Sequence, residues 1–502
     1  MRTRRSVTMD MTEGAPLLLL AKFALPLLIG NIFQQAYNMA DSMIVGQLLG
    51  ANALAAVGAT GSISFLFFSI FSGISGGCGI VTARYFGARE HDMVQRAIAN
   101  SAYIMIGASV LTGGIAFSLV PTVLGWMGTP QEILPDSITY MRMTSASVPL
   151  IAVYNYSSSM QRALGDSRTP LIFLVVSCLL NVSLDLLFVG GLGLGVFGAA
   201  LATMVSQLLA GFGSLLYAFR RNPYFRLSRE MMKPDRGIMG SSVKLGLPLA
   251  LQWSLIAIST TALQRVVNSF GPVAVAAYTA TNRLEQLVQQ PFGSLSMALS
   301  TYCGQNIGAG KTGRIRSGFR DSALASAALA GVMLLMMQFF GGNLVNLFVS
   351  EPEVIDLGRA ALRTTSWFYV FLGLIYATRG VLNGVGDAFF AFINGIVEMV
   401  YNRPATGHLV LILDNSTTAM TGLQENPATG RHLDMSPTHQ LKLETLCQAI
   451  GVDHVDVIDP TLHNQEFRDL VTERLKSDDV SVIIARRSCV LQMKKLAKAA
   501  QK

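Results

Sequence analysis

Two acidic residues lie inside long apolar stretches of this sequence, where a charged side chain is costly. Asp41 falls in the first stretch, and Asp185 falls in the fifth, four residues after Asn181. Residues four apart on a helix share one face, so Asn181 and Asp185 are predicted to face the same way. A carboxylate at membrane depth costs about 2.5–3.5 kcal/mol and is retained where it faces a cavity or a partner. Two such acids can share a proton or chelate a small cation; a structural hydrogen bond between helices is the alternative.

The composition indicates that these stretches belong to a membrane protein. Of 502 residues, 51% are hydrophobic and 14% are charged, and the mean hydropathy is +0.45, too apolar for a soluble chain of this length. The net charge of +8 lies in short loops between apolar stretches, so it reports topology and does not indicate nucleic acid. The five cysteines have no metal-ligand spacing, and no metal site is predicted. The expected partner is the lipid bilayer, and the expected state is a monomer.

Ten apolar spans are long enough to cross the hydrocarbon core of a bilayer. They cover roughly 17–45, 53–80, 95–120, 138–162, 168–190, 196–219, 240–268, 274–300, 318–340 and 358–382, and an eleventh begins near 387. Basic residues cluster before the first span and after the second, fourth, sixth and eighth spans. The positive-inside rule therefore predicts a cytoplasmic N-terminus. The predicted location is the plasma (inner) membrane of a bacterium or archaeon.

The chain also repeats itself. Phe23-Ala24-Leu25-Pro26 is echoed by Leu245-Gly246-Leu247-Pro248, and two further pairs recur at nearly the same offset. These are Gly87-Ala88 with Gly308-Ala309, and Gly165-Asp166 with Gly386-Asp387. A unit of six spans returns to the side where it began, so the two copies are predicted to form parallel bundles with a cavity between them.

The predicted fold class is an all-α polytopic membrane protein with two parallel six-helix repeats, the second truncated, followed by a partial α/β fragment. The first bundle covers residues 1–219, and a cytoplasmic linker covers 220–239. The second bundle covers 240–400 and is truncated in helix 11, because the apolar pattern stops after Val400. The fragment covers residues 401–502.

The repeat, the first-helix sequence LPLLIGNIFQQAYNMADSMIVG and the loop QRALGDSRTP resemble the multidrug and toxic compound extrusion (MATE) family over residues 14–400. The resemblance implies drug export driven by inward flow of protons or sodium ions, with no cofactor and no catalytic residue. In one branch of the family the coupling site uses an acid on the first helix, an Asn and an Asp on the fifth, and a Thr on the sixth. The matching residues are Asp41, Asn181, Asp185 and Thr203.

Polar and aromatic residues within the spans are candidates for the lining of a substrate cavity for small organic cations. They are Gln34, Gln35, Tyr37, Asn38, Tyr154, Tyr156, Gln252 and Glu285. Ordinary packing is the alternative for each of them. Glu285 is the one acid well inside a span of the second bundle, and a structural salt bridge with Arg283, two residues away, is its alternative.

From about Tyr401 the pattern changes to alternating strands and helices, typical of a soluble parallel α/β fold. Strands are predicted at 409–414, 454–459 and 480–487, and helices at 438–450 and 464–477. The segment LVLILDNSTTAMTGLQENPATGR resembles the thiamine-diphosphate-binding domain of the indolepyruvate ferredoxin oxidoreductase large subunit. That resemblance implies that Asn415 binds the magnesium ion of the diphosphate, with the carbonyl of Thr417 beside it. A Gly-Asp pair at a set spacing before this Asn would supply the other ligand.

Gly386-Asp387 stands at that spacing, but the internal repeat already accounts for it as the counterpart of Gly165-Asp166. The pyrimidine-binding domain and the iron–sulfur segment of the enzyme are not recognisable in the sequence, so bound thiamine diphosphate and magnesium are not expected. The two families are similar around GDAFF and INGIVE, where the two parts of the chain join.

Three functions therefore compete. The first is an ion-coupled antiporter exporting organic cations or drugs, and the second is a fragment of a thiamine-diphosphate-dependent 2-oxoacid (indolepyruvate) ferredoxin oxidoreductase. The third is an inactive chimera. The apolar run from Ala388 to Tyr401 has 14 residues and would reach roughly 21 Å, short of the roughly 30 Å hydrocarbon core. We therefore expect a half-inserted or interfacial helix there, with residues 405–502 on the cytoplasmic side.

Overall fold

The computed structural model describes residues 8–126, 129–268, 270–349, 351–387, 390, 409–414, 442–449, 452, 454–459, 462–474 and 481–486. The chain divides into two compact units, Met1–Val397 and Glu398–Lys502. The long helices lie in the first unit, and the second contains a small sheet with two short helices.

Eleven helices are described in the first unit, and they follow the predicted apolar spans. They are α1 (Pro16–Leu49), α2 (Ala51–Gly87), α3 (His91–Trp126), α4 (Leu134–Ala163), α5 (Arg168–Asp185), α6 (Gly195–Arg221), α7 (Arg236–Asn268), α8 (Pro272–Gly308), α9 (Thr312–Asn346), α10 (Pro352–Ser366) and α11 (Tyr369–Val385). A π-helical segment, Leu186–Gly191, continues α5. The prediction of an all-α polytopic architecture is confirmed.

The tenth predicted span, at 358–382, differs from the expectation of one helix. The structure divides this region between α10 and α11, whose axes are bent by 53° at Trp367–Phe368. The two helices also differ in character: α10 carries Asp356 and Arg359 on an amphipathic surface, whereas α11 is mainly apolar. The span predicted at 358–382 therefore combines the end of the amphipathic α10 with the apolar α11.

Length and apolar composition alone identify fewer membrane spans than the sequence analysis did. Among the described residues, five helices pass on both counts, and the bent pair α10 and α11 would make a sixth. The helices α2, α4, α7 and α8 supply most of the lining of a polar cavity between the bundles.

The internal repeat is visible in the backbone. Gly165 and Gly386 end α4 and α11 with positive φ angles of 83° and 77°, a conformation that glycine adopts readily. The following aspartates accept matching backbone hydrogen bonds three residues on: Asp166 Oδ1 accepts from Thr169 N at 3.0 Å, and Asp387 Oδ1 accepts from Phe390 N at 3.2 Å. Asp387 therefore has the same local role as Asp166.

The two bundles meet along α2 and α7. A Cβ atom at Gly73 would lie 2.2 Å from Ala250 N, and one at Gly77 would lie 2.4 Å from Gly246 N. Small residues therefore allow the two helix backbones to approach directly. The helix α7 packs chiefly along α2 of the first bundle and has far fewer contacts with α8 of its own repeat.

A second close crossing joins the ends of α2 and α8. A Cβ atom at Gly87 would lie 1.8 Å from Gln305 O, and one at Gly308 would lie 1.9 Å from Arg84 O. The segment before α1 also lies here, since Met11 is fully buried and its N–H donates to Gln305 Oε1 at 2.9 Å. We call this region the closed end of the bundle.

The second unit contains a three-stranded parallel sheet of β1 (Leu409–Asp414), β2 (His454–Ile458) and β3 (Ser481–Arg486), in the order β1-β3-β2. Two helices are described, α12 (Leu443–Ala449) and α13 (Asn464–Arg474). The predicted parallel α/β pattern is confirmed, although the strand order is new information. Ion pairs connect the helices to the sheet. Arg486 of β3 pairs with Glu444 of α12 at 2.7 Å, and Arg474 of α13 pairs with Asp456 of β2 at 2.9 Å.

Candidate functional site

The acids Asp41 of α1 and Asp185 of α5 meet inside the first bundle. Their carboxyl groups lie within hydrogen-bonding reach of each other, and Asp185 is fully buried. The Oδ1 atom of each is buried and has no partner in the described part of the chain. Buried acceptors without donors favour a bound proton or cation, because an unmet carboxylate oxygen is costly.

The two other predicted coupling residues complete this cluster. Asn181 donates through Nδ2 to Asp185 Oδ2 at 2.8 Å, and its Oδ1 accepts from Thr203 N at 3.2 Å and from Thr203 Oγ1 at 3.3 Å. This amide orientation is the one that satisfies all three partners. The structure therefore brings Asp41, Asn181, Asp185 and Thr203 together, from α1, α5 and α6; their role in coupling is a prediction.

Two tyrosines extend the cluster. Tyr37, predicted as a cavity residue, lies with its hydroxyl 3.4 Å from Thr203 Oγ1. Tyr140 of α4 was not predicted, and it is partly buried near Asp41, Tyr37 and Asp185. No spacing in the sequence links Tyr140 to the acids, and a tyrosine in a membrane span is by itself only weak evidence for a functional site.

The backbone changes character at Asp185. The α-helical hydrogen bonding of α5 ends at this residue, and the π-helical segment begins with Leu186. Single π-helical turns inside helices are uncommon and are frequent at functional sites. The wider turn fixes the direction of Asp185, which no residue pattern in this segment would have revealed.

The chemistry available to the cluster follows from its charges. Two carboxylates in contact repel each other unless a proton or a cation lies between them. The oxygen atoms of Asn181 and Thr203 beside them are the hard ligands that a small cation prefers. The arrangement can therefore bind and release a proton or a sodium ion.

A cavity of about 380 Å³ lies between the two bundles. Its walls come from α2, α4, α7, α8 and α11, with Asn31 from α1, and Gln252 lies in its wall as predicted. Arg162 and Arg379 are the charged residues among the described lining, and no carboxylate lines it. The cavity is thus polar and basic.

A second cavity, of about 610 Å³, lies between α1 and α8. Two of the predicted residues, Gln35 and Asn38, line it together with Arg283. Gln34 lies beside them and donates to Asn38 Oδ1 at 3.3 Å. The polar face of α1 therefore borders both cavities as well as the acid pair.

Three of the predicted cavity residues lie elsewhere. The hydroxyls of Tyr154 and Tyr156 donate to the backbone carbonyls of Pro170 and Ile98, at 3.1 and 2.9 Å, and so join helices. Glu285 lies inside the second bundle beside Thr365. Sequence reasoning placed these residues at membrane depth but could not distinguish the inside of one bundle from the space between two.

The residues predicted to bind thiamine diphosphate, Asn415 and Thr417, lie outside the described residues. The Gly386-Asp387 pair is described, and Asp387 Oδ1 accepts a hydrogen bond from Phe390 N. Within the described part of the chain, no group of three or more His, Cys, Asp or Glu side chains is arranged to bind a metal ion.

The two parallel helical bundles, the polar cavity between them and the buried acid pair define a membrane transporter. The MatE family model matches residues 26–187 and 248–406, which is most of both bundles. The chain belongs to the MATE family, whose members are transporters and not enzymes.

Named relatives agree with this assignment. The chain is 30% identical over 378 residues to the "Probable multidrug resistance protein YpnP" of Bacillus subtilis, covering 75% of this chain and 84% of that protein. It is 23% identical over 408 residues to the "Multidrug export protein MepA" of Staphylococcus aureus, covering 80% and 88%.

Solved structures share the fold. "Crystal structure of MATE in complex with MaL6" superposes with a TM-score of 0.74 at 24% identity, covering 80% of this chain and 89% of that one. "Outward-facing conformation of a multidrug resistance MATE family transporter of the MOP superfamily" gives 0.72 at 24% identity, with coverage of 80% and 89%.

A second family model, "Thiamine pyrophosphate enzyme, C-terminal TPP binding domain", matches residues 372–485. This match confirms the resemblance of the C-terminal fragment. It overlaps the MatE match over residues 372–406, and the overlap contains the segment where the two parts of the chain join.

Proposed function

We propose that this chain is an ion-coupled antiporter that exports drug-like organic compounds across the plasma membrane as a monomer. The observation that supports this function best is the contact between Asp41 and Asp185 inside the first bundle. Asn181 and Thr203 hold Asp185 through a continuous set of hydrogen bonds. This cluster provides the site at which the driving proton or sodium ion binds.

Coupling to substrate runs through α1. This helix carries Asp41 at the ion site, Asn31 at the first cavity, and Gln35 and Asn38 at the second. A proton or cation at the acid pair removes the repulsion between the carboxylates and so changes the position that α1 prefers. The same helix packs against α8 of the second bundle. Ion occupancy and substrate occupancy therefore act on one helix, which is what exchange of the two requires.

The family resemblance implies organic cations as substrates. Within the first bundle, such a cation would find its negative partner at the Asp41 and Asp185 pair. The relatives named for multidrug resistance and multidrug export support a drug-like substrate range.

The orientation follows from the basic loops. Residues near the ends of α2 and α8, including Arg84, Lys311 and Arg314, lie at the closed end of the bundle. By the positive-inside rule this end faces the cytoplasm, as does the N-terminus. The cavity between the bundles is then closed toward the cytoplasm.

The alternative of a thiamine-diphosphate enzyme is not favoured by the described residues. Asp387 Oδ1 accepts from Phe390 N as Asp166 Oδ1 accepts from Thr169 N, so the internal repeat accounts for Asp387 without a metal ion. We therefore expect transport with no cofactor. An inactive chimera remains the competing hypothesis, and an export assay separates it from an active transporter.

The test is export of ethidium from cells that express the full chain. Asp41→Asn and Asp185→Asn should each abolish export while expression persists, because an amide can neither exchange a proton nor neutralise a cation. Asp136→Asn is the matched control, since Asp136 is an exposed acid in the first turn of α4, and it should export like the parent. Imposed proton and sodium gradients in proteoliposomes then identify the coupling ion. Unchanged export in the double variant would exclude the acid pair, and no export by the parent chain would favour the inactive chimera.

A further inference from the structure

The cavity between the bundles has the wrong charge for a cation. Its charged lining consists of Arg162 from α4 and Arg379 from α11, one from each bundle, and no carboxylate is among the described lining residues. A cation placed here would be repelled by two guanidinium groups at close range. The acid pair offers no compensation at this cavity, since Asp41 and Asp185 belong to the separate cluster inside the first bundle.

The surroundings of Arg162 do not neutralise it. Its Nη1 donates to Ser158 Oγ, one turn earlier on the same helix. Arg162 forms no salt bridge with any residue that the structure describes. Arg162 is partly buried in the last turn of α4, and a partly buried guanidinium without a carboxylate is available to an anionic ligand.

The rest of the wall supplies hydrogen-bond donors and aromatic surface. The side chains of Gln252, Gln289 and Gln290 lie in it. Gln252 is 3% exposed, and its Nε2 has no partner within the described part of the chain. The rings of Trp253 and Tyr376 also line the cavity, so an aromatic or apolar body can be accommodated beside the polar groups.

We propose that the cavity between the bundles binds a small organic anion, a carboxylate, sulfonate or phosphate on an aromatic or apolar body, and that such anions are substrates of this chain. Arg162 and Arg379 would hold the anionic group, because the guanidinium fork matches the oxygens of a carboxylate or phosphate. Since the anion would be held by one arginine from each bundle, its binding would favour the arrangement in which the bundles are close together. The substrate assignment rests on the proposed transport function, whereas the binding site does not.

The binding test uses three probes of one size: naphthoate, its neutral amide naphthamide, and the cation naphthylmethylamine. Each is titrated calorimetrically into the purified full chain in neutral detergent. We expect naphthoate to bind at least about tenfold more tightly than naphthamide, and naphthylmethylamine not to bind, because only the carboxylate forms charge-assisted hydrogen bonds with the guanidinium groups. Equal or tighter binding of the amine would overturn the proposal.

Variants locate the site. Arg162→Gln and Arg379→Gln should each weaken naphthoate at least about tenfold, and Arg162→Lys should retain part of the affinity. Arg142→Gln is the matched control, because Arg142 is an exposed residue of the same helix that lies over the Phe117 ring. Unchanged naphthoate affinity in both cavity variants would refute the assignment.

Should an arginine variant fail to fold, Gln252→Glu tests the same wall with a side chain of nearly the same shape. The added negative charge should abolish naphthoate binding and admit naphthylmethylamine. Retention of naphthoate selectivity in this variant would overturn the proposal.

A lipid phosphate carries the same anionic chemistry, so the binding test is repeated in nanodiscs of phosphatidylcholine with and without phosphatidylglycerol. Undiminished naphthoate affinity supports a soluble anion as the occupant. Competitive loss would show that the cavity holds lipid and would overturn the substrate assignment.

Export assays separate the anion-site proposal from the proposed transport function. Naphthoate binding that is lost in Arg162→Gln, in a chain that exports nothing, supports the site and refutes the transport function. Gradient-driven ethidium export without naphthoate binding supports the transport function and refutes the anion site.

Discussion

The glycines at the closed end allow a quantitative prediction. Gly87 and Gly308 are counterparts in the internal repeat, and each contacts the backbone of the other bundle. An alanine Cβ at Gly87 would lie 1.8 Å from Gln305 O, and one at Gly308 would lie 1.9 Å from Arg84 O. Ordinary contact between carbon and oxygen begins near 3.4 Å, so either substitution must separate the ends of α2 and α8 by about 1.5 Å. Because the blocking atoms are backbone, no side-chain rotation relieves the clash.

The expected cost combines two opposing effects. Overpacking of a close contact destabilises by about 1–3 kcal/mol, and replacing a helical glycine by alanine stabilises by about 0.5–1 kcal/mol. Each single variant should therefore lose about 1–2 kcal/mol of unfolding free energy. Both substitutions force apart the same two helix ends, so the double variant should lose less than the sum of the single losses.

The measurement is equilibrium unfolding of the detergent-solubilised full chain, followed by the circular dichroism of its helices. Gly58→Ala is the control on the same helix, since no atom lies within 4 Å of a Cβ built at Gly58. It should be unchanged or up to about 1 kcal/mol more stable. Single variants as stable as Gly58→Ala, or a double variant whose loss equals the sum, would refute the close crossing of α2 and α8.

Three further outcomes are expected. Tyr140→Phe removes the hydroxyl near the acid pair and should lower ethidium export about tenfold without loss of protein; full export would show that this hydroxyl is not needed. Asp166→Ala removes the cap of α5 and should cost about 1 kcal/mol of unfolding free energy, and the same loss for Asp387→Ala would confirm their equivalence. In the second unit, hydrogen bonding with Arg486 lowers the pKa of Glu444 to about 2. The ion pair therefore stabilises the unit above the ordinary glutamate pKa, near 4.3, and this contribution should fade as the pH drops toward 2. Proteolysis of the second unit across this pH range would show the loss in the parent chain and a smaller pH dependence in Glu444→Gln.

Several features of this protein follow from local patterns alone. Long apolar runs predicted the helices because burial in lipid depends on composition within one segment. The Gly165-Asp166 and Gly386-Asp387 pairs predicted the repeat because a positive φ angle and a helix cap each require particular residue types at adjacent positions. Asn181 and Asp185 could be assigned to one face because helical geometry relates residues four apart. In the second unit, three short apolar runs predicted strands for the same local reason.

Other features depend on contacts between distant segments and could not be read from the chain. The partner of Asp185 is Asp41, from a helix far earlier in the sequence, and Tyr140 joins them from a third helix. The bend between α10 and α11 divides a region that the sequence analysis predicted as one span. The charge of the cavity was also hidden, because Arg162 and Arg379 come from different bundles and resemble ordinary basic residues near helix ends. Which side chains share a space is decided by tertiary packing, and that packing separates the acid pair inside one bundle from the basic cavity between two.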